Sequence, residues 1–178
     1  MEPQQASVAQ FLRDDHKKIR GLFRQIQVLE DRAHEMKPGL LRQLWMELEI
    51  HDRLDREILY PALMSVADEG VRGRIADLLD AHREMRDGIE SVKEISEDSE
   101  YMRQKMRELR TNVLVHFDDE EHDILGFAER NLHPARSREL FQEMKQRKRE
   151  LLDLPYYKDA GPEKVQNPRG GEQKRKAG

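Results

Sequence analysis

The sequence predicts an all-α protein: an up-down-up-down bundle of four long helices, a short fifth C-terminal helix and a disordered tail. Three observations carry this. Good helix formers (Glu, Arg, Leu, Lys, Met and Gln) dominate the composition, aromatic residues are only 6% and β-branched residues are sparse. Apolar residues recur with helical period in four long stretches, and no strand-like alternation competes. The breakers collect between those stretches and at the C-terminal end, as short links between antiparallel helices require.

The first stretch, residues 7–36, carries Phe11, Leu12, Ile19, Leu22, Phe23, Ile26 and Leu29, and Pro38-Gly39 breaks it. The second, 40–67, carries Leu44, Leu48, Ile58 and Ala62 and ends at Asp68-Glu69-Gly70. Pro61 lies inside it and removes a backbone donor, so a kink or an early end is expected there. The third, 71–95, has Ile75, Leu78, Leu79, Met85, Ile89 and Val92, weakened by Gly73 and Gly88. The fourth starts at an N-cap near Asp98-Ser99 and runs to Arg130 with Met102, Met106, Leu109, Val113, Ile124 and Phe127. Beyond Pro134 a shorter helix, 135–152, carries Leu140, Phe141, Met144, Leu151 and Leu152.

A chain of 178 residues suits a single domain, here the bundle at 7–154. Residues 155–178 hold four of the ten glycines and three of the seven prolines, with six Lys/Arg against three Asp/Glu. They read as a disordered basic tail. The charge is high but balanced, 32 Lys+Arg against 36 Asp+Glu, and does not advertise a nucleic-acid partner. With no cysteine, disulfides, thiolate zinc sites, Cys-ligated clusters and Cys nucleophiles are excluded. The first ten residues lack the features of a signal peptide and no run of about 18 apolar residues could cross a membrane. A cytoplasmic protein is expected, with no membrane partner.

Polar residues at core positions are the informative ones. The inward stripe of the first helix reads Leu12, His16, Ile19, Phe23, Ile26; that of the second reads Leu44, Leu48, His51, Asp55, Ile58, Ala62. The third reads Ile75, Leu78, His82, Met85, Ile89, and the fourth Val113, His116, Glu120, Ile124, Phe127. Each long helix puts one histidine in the middle of its inward face, and two of these are followed by a carboxylate on the same face. At ~1.5 Å per residue the four histidines fall within roughly 10 Å of one level. A core carboxylate costs several kcal/mol unless it is paired or bound to a metal. No Lys or Arg shares these stripes. A metal site of His16, His51, Asp55, His82, His116 and Glu120 is the favoured reading; a metal-free buried network is the alternative. His34, His122 and His133 fall off the stripe and are read as solvent-facing or structural.

Six nitrogen and oxygen ligands are too many for a closed zinc site. They suit two octahedral ions, iron or alternatively manganese. The Glu-x-x-His pair of ferritin-like bundles is absent; here the histidine comes first and the carboxylate four residues later.

The segments DDHKKI from Asp14, HDRLDREILYPAL from His51, AHREM from Ala81 and HFDDEEHDIL from His116 resemble the hemerythrin-like, or HHE cation-binding, family. The second is the most specific, with its histidine, its acid four residues on, and Tyr60-Pro61. The resemblance implies a non-haem diiron site bridged by Asp55, Glu120 and an oxo or hydroxo group, with His16, His51, His82 and His116 as terminal ligands. Oxygen carriers of this family have a fifth histidine where this chain has Arg86, which implies an additional open position. They also place the last carboxylate five residues after the fourth-helix histidine; here Glu120 and Glu121 are both present, and helical facing favours Glu120. Asp52 is a substitute ligand if the site shifts.

Two functions follow as expectations. The first is a non-catalytic diiron protein binding dioxygen, nitric oxide or iron itself, for sensing, storage or carriage. The second is an enzyme of the same fold that decomposes peroxide or reduces nitric oxide. The sequence presents no dedicated proton donor, although Tyr60 lies a turn and a quarter beyond Asp55. A weaker third reading takes the basic tail as a nucleic-acid or membrane contact.

Overall fold

The structure, a computed structural model, describes residues 7–33, 38–95 and 99–158. It is all-α. Helix α1 is Val8–Ala33, α2 is Pro38–Leu54, α3 is Tyr60–Met64, α4 is Glu69–Lys93, α5 is Glu100–Asp119, α6 is Gly126–Asn131, α7 is Pro134–Leu152 and α8 is Pro155–Lys158. Local chemistry sets the helix starts. Ser7 Oγ accepts from Gln10 N, Asp68 Oδ1 from Val71 N and Ser99 Oγ from Met102 N, each satisfying a backbone donor that has no partner within the helix. His133 caps α7 through Nδ1, with Pro134 at the first helical position.

Two of the four rods contain a wider turn. Asp55–Leu59 is a π-helical turn joining α2 to α3, and Glu120–Leu125 is another joining α5 to α6. Backbone angles stay helical at every junction: Leu54, Tyr60, Asp119 and Gly126 all lie near φ −60°. Pro61 therefore does not end the second helix, which runs on to Met64. The wider turn ahead of it, in which Tyr60 N bonds Asp55 O, re-routes the hydrogen bonds where a proline would otherwise clash.

Helices α1, α2, α4 and α5 form a closed ring in which α1 meets α2, α2 meets α4, α4 meets α5 and α5 meets α1. At Gly88, where α4 meets α5, a Cβ would lie 3.0 Å from Leu109 Cδ1. The glycine that weakens this helix intrinsically is what lets α5 approach. The apolar core is two clusters, not one. Leu12, Leu54, Leu63, Ile75 and Ile124 fill one end; Ile19, Phe23, Leu44, Leu48, Met85, Val113 and Phe117 fill the other. Between them lies the layer of histidines and carboxylates.

Helix α7 packs against α1, α2 and the first π turn, burying Leu140, Met144 and Leu151. A knot of buried charge pins it. Lys148 of α7 bonds Asp15 of α1 and reaches Glu47 of α2 at 3.3 Å, and Glu47 also pairs with Lys18. Asp15 is 6% and Glu47 1% exposed. The boundary expected after Leu154 falls one turn short of the last described residues. Pro155–Lys158 is helical, and Tyr157 is buried with its hydroxyl donating to Glu49 at 3.0 Å. The rest of the expected tail, like His34 and Asp98, lies outside the described residues.

Removing one member of a buried charge network leaves the others uncompensated. Lys148→Met should therefore lower unfolding stability by about 3 kcal/mol, measured by denaturant titration. Adding Asp15→Asn and Glu47→Gln should recover much of the loss. A loss well below about 1 kcal/mol would mean that the knot behaves as an ordinary surface pair.

Candidate metal centre

The six stripe residues come from four rods and meet in one layer. His16 sits on α1 one turn from Leu12 and from Ile19, and His82 on α4 between Leu78 and Met85; both are fully buried. His51 lies in the last turn of α2, and Asp55 opens the π turn that follows. His116 lies in the last turn of α5, and Glu120 opens the second π turn. Each inward carboxylate thus begins a widened turn, a local irregularity found often at functional sites. All six are 0–4% exposed.

The imidazoles crowd together. Ring centroids are 4.9 Å apart for His16 and His51, 5.8 Å for His51 and His82, 4.4 Å for His82 and His116, and 6.0 Å for His51 and His116. Two groups of atoms lie close enough to hold an ion each: His51, Asp55, His82 and His116, and His16, His51 and Glu120. They share His51. His16 Nε2 is 3.1 Å from Glu120 Oε2, and His51 Nε2 is 3.1 Å from Asp55 Oδ2. Neither contact is aligned as a hydrogen bond, because all four atoms are without a hydrogen-bond partner. So are Nδ1 of His51, both nitrogens of His116 and Asp55 Oδ1. Such groups are costly to bury. The donor set is nitrogen and oxygen alone, it converges, and much of it is unsatisfied by protein; a hard or borderline divalent cation fits it.

Outside the layer, two of the histidines are oriented from behind. His82 Nδ1 lies 2.9 Å from Asp52 Oδ1, and Asp52 also accepts from Arg56 at 2.9 and 2.7 Å and from Arg86 at 2.7 Å. Burial alone would raise the Asp52 carboxyl, but the hydrogen bonds from His82 and Arg56 outweigh it and hold it well below the usual range. An ionised oxygen only accepts, so Nδ1 carries the proton and the Nε2 lone pair faces the layer. His16 repeats the pattern: its Nδ1 is 2.8 Å from Glu121 Oε1, which takes Arg20 at 3.1 Å. Carboxylates in this position are a recurring support of metal-binding histidines. His16 also stacks on Phe117 at 4.0 Å with the planes 11° apart.

These contacts place the remaining candidates. Glu120, fully buried, faces the layer and Glu121 stands behind His16. Asp52 and Arg86 stand behind His82 rather than in the layer. His122 is 88% exposed and His133 caps α7. The group that sequence reasoning undervalued is Tyr60. Its hydroxyl, buried in the layer, lies 2.7 Å from Glu120 Oε1 and 3.1 Å from His82 Nε2. One proton serves two acceptors, so one of them is always left short. Sequence reading placed Tyr60 a turn and a quarter beyond Asp55 and in the Tyr60-Pro61 pair, but gave its hydroxyl no partner.

Electrostatics reflect the confinement. Burial, and then the neighbouring imidazoles, push His51 well below its ordinary pKa; burial lowers His116 to about 3. Asp55 is pushed well above the carboxylate range by burial and by Glu120. Burial and the same carboxylates raise Tyr60, keeping its hydroxyl protonated.

A sequence profile of the hemerythrin HHE cation-binding domain matches residues 7–128. Among curated proteins, a "DNA nickase" of Nostoc sp. (strain PCC 7120) is 25% identical over 150 residues, covering 84% of this chain and 41% of that protein. The chain thus spans well under half the length of that relative. No solved structure gives a significant match. Among the described residues no helix is long and apolar enough to cross a membrane.

The metal-free fold bears the cost of Asp55. Its folded pKa lies above its unfolded one, so the folded state binds more protons and stability falls as pH rises above the unfolded value, about 3.9. Asp55→Asn should therefore stabilise the metal-free protein at pH 7, by about 2 kcal/mol. The advantage should shrink as the pH is lowered towards 4 in denaturation curves. A destabilised variant at neutral pH would mean that Asp55 has a favourable partner in the metal-free layer.

Proposed function

Since the chain belongs to the hemerythrin HHE cation-binding family, we propose that its polar layer is a two-iron centre serving to bind dioxygen, nitric oxide or iron itself. Manganese is the alternative metal. In this reading His16, His51, His82 and His116 are ligands, and Asp55 and Glu120 are the shared carboxylates. The supporting observation is the convergence of unpartnered buried nitrogen and oxygen atoms from five of these six side chains, in two groups of atoms that share His51. When bound, the ions supply redox-active positions with affinity for small diatomic ligands and peroxide. The chain's own residues do the rest. Asp52 and Glu121 fix the imidazoles of His82 and His16. The apolar clusters on either side restrict water. Arg86 takes the place of a fifth histidine and instead clamps Asp52.

One observation favours the second reading, an enzyme that consumes peroxide or nitric oxide: the protonated Tyr60 hydroxyl beside Glu120 and His82. A buried donor of this kind delivers a proton where solvent does not reach. The nickase likeness supplies no comparable support, since a nucleic-acid backbone does not reach side chains 0–4% exposed.

Metal analysis of the purified protein should give about two irons per chain, with an oxo-bridge absorption that bleaches on reduction and returns in air. His51→Ala or Glu120→Ala should remove most of that iron and His122→Ala none. Equal loss in all three would sink the ligand assignment. Tyr60→Phe separates the two functions. With iron content unchanged, peroxide or nitric oxide consumption slowed about 100-fold supports the enzyme; unchanged consumption leaves the hydroxyl no role in turnover.

A further inference from the structure

The layer is approached from two sides, and the two are of opposite charge. Between α4 and α5 runs a groove enclosing about 200 Å³. Asp77, Ala81 and Glu84 line it from α4 at successive helical turns, and Asn112, Val115 and Asp119 from α5, with Asp123 just beyond. Arg74 is the only cation among its walls and ties to Asp123 at 3.1 Å and Asp77 at 3.9 Å. Among the described residues Glu84 and Asp119 make no ion pair. The other approach, over Asp52, is walled by Arg53, Arg56 and Arg86 with Glu49. Two of those arginines clamp Asp52 across it.

The acidic groove reaches the centre and the basic one does not. His116 lines the α4/α5 groove, is only 4% exposed and has neither ring nitrogen hydrogen-bonded. It is the one proposed ligand in contact with either approach. Asp52, at the floor of the other, stands behind His82.

We propose that the α4/α5 groove is the route by which a divalent cation reaches the metal centre. Glu84 and Asp119 concentrate the ion at its mouth, and His116 is the first ligand it meets. The groove's carboxylates focus a field attractive to cations in a low-dielectric cleft, while the guanidinium wall on the neighbouring α2/α4 side repels them. The proposal rests on the metal-centre reading above and adds a direction of filling.

The test is anaerobic stopped-flow uptake of Fe(II), or of Co(II) for its visible bands, by the metal-free full chain. The triple variant Asp77→Asn/Glu84→Gln/Asp119→Asn changes exposed positions only and should reach the wild-type stoichiometry. Its uptake should be about tenfold slower at low ionic strength, with a flatter salt dependence. Arg53→Gln, on the basic face, should leave the rate unchanged. Full loading of the triple variant at the wild-type rate overturns the route alone. Faster uptake by Arg53→Gln moves the route to the other face and overturns it too. A wild-type protein that takes up neither metal overturns the centre and the route together.

Discussion

Four imidazoles and two carboxylates cross the middle of an apolar bundle, and the protein's own hydrogen bonds leave polar atoms on five of the six unpartnered. This constraint organises the molecule. The layer divides what would be one core into two clusters, each closing over one side of it. Leaving so many polar atoms unpartnered is a cost that several apolar contacts must offset. Binding cations to those atoms converts the cost into affinity, because a ligand that binds only the folded state stabilises it. In the metal-free fold the strain shows in the opposite directions of Asp55, driven towards its neutral form, and of His51 and His116, held from protonating.

What surrounds the layer makes sense as support for it. The His82–Asp52 and His16–Glu121 pairs, each backed by arginine, choose which nitrogen carries the proton and so aim the lone pairs inward. The two π turns start at Asp55 and Glu120 and widen the backbone where the carboxylates turn in. Farther out, Lys148 ties α7 to the two helices that carry His16 and His51. The fifth helix is thus a brace on one flank, and the acidic groove opens on the opposite pair, α4 and α5.

The fold and the six inward residues were legible because helical periodicity is a strong signal and because a histidine at a core position breaks it visibly. The choice of Glu120 over Glu121 followed from facing alone, and the structure puts Glu121 to another use. Other features left weaker marks. A π turn alters the facing of residues downstream without altering composition, and only Pro61 hinted at one. Asp52 and Arg86 were singled out only as a substitute ligand and as the residue in place of a fifth histidine; that they pair behind His82 depends on contacts between helices, which local pattern does not show. The Asp15–Glu47–Lys148 knot joins residues up to 133 positions apart, beyond the reach of local pattern. Tyr60 was visible a turn and a quarter beyond Asp55 but was given no donor role, since nothing local aims its hydroxyl at Glu120.

The central claim is that this layer holds two ions and that its six side chains bind them. Anomalous diffraction from iron-loaded crystals, recorded on either side of the iron edge, tests it most directly. Two peaks inside the bundle, enclosed by His16, His51, Asp55, His82, His116 and Glu120, are the predicted result. Iron peaks confined to surface carboxylates, with the layer's atoms holding the contacts described here, would contradict it.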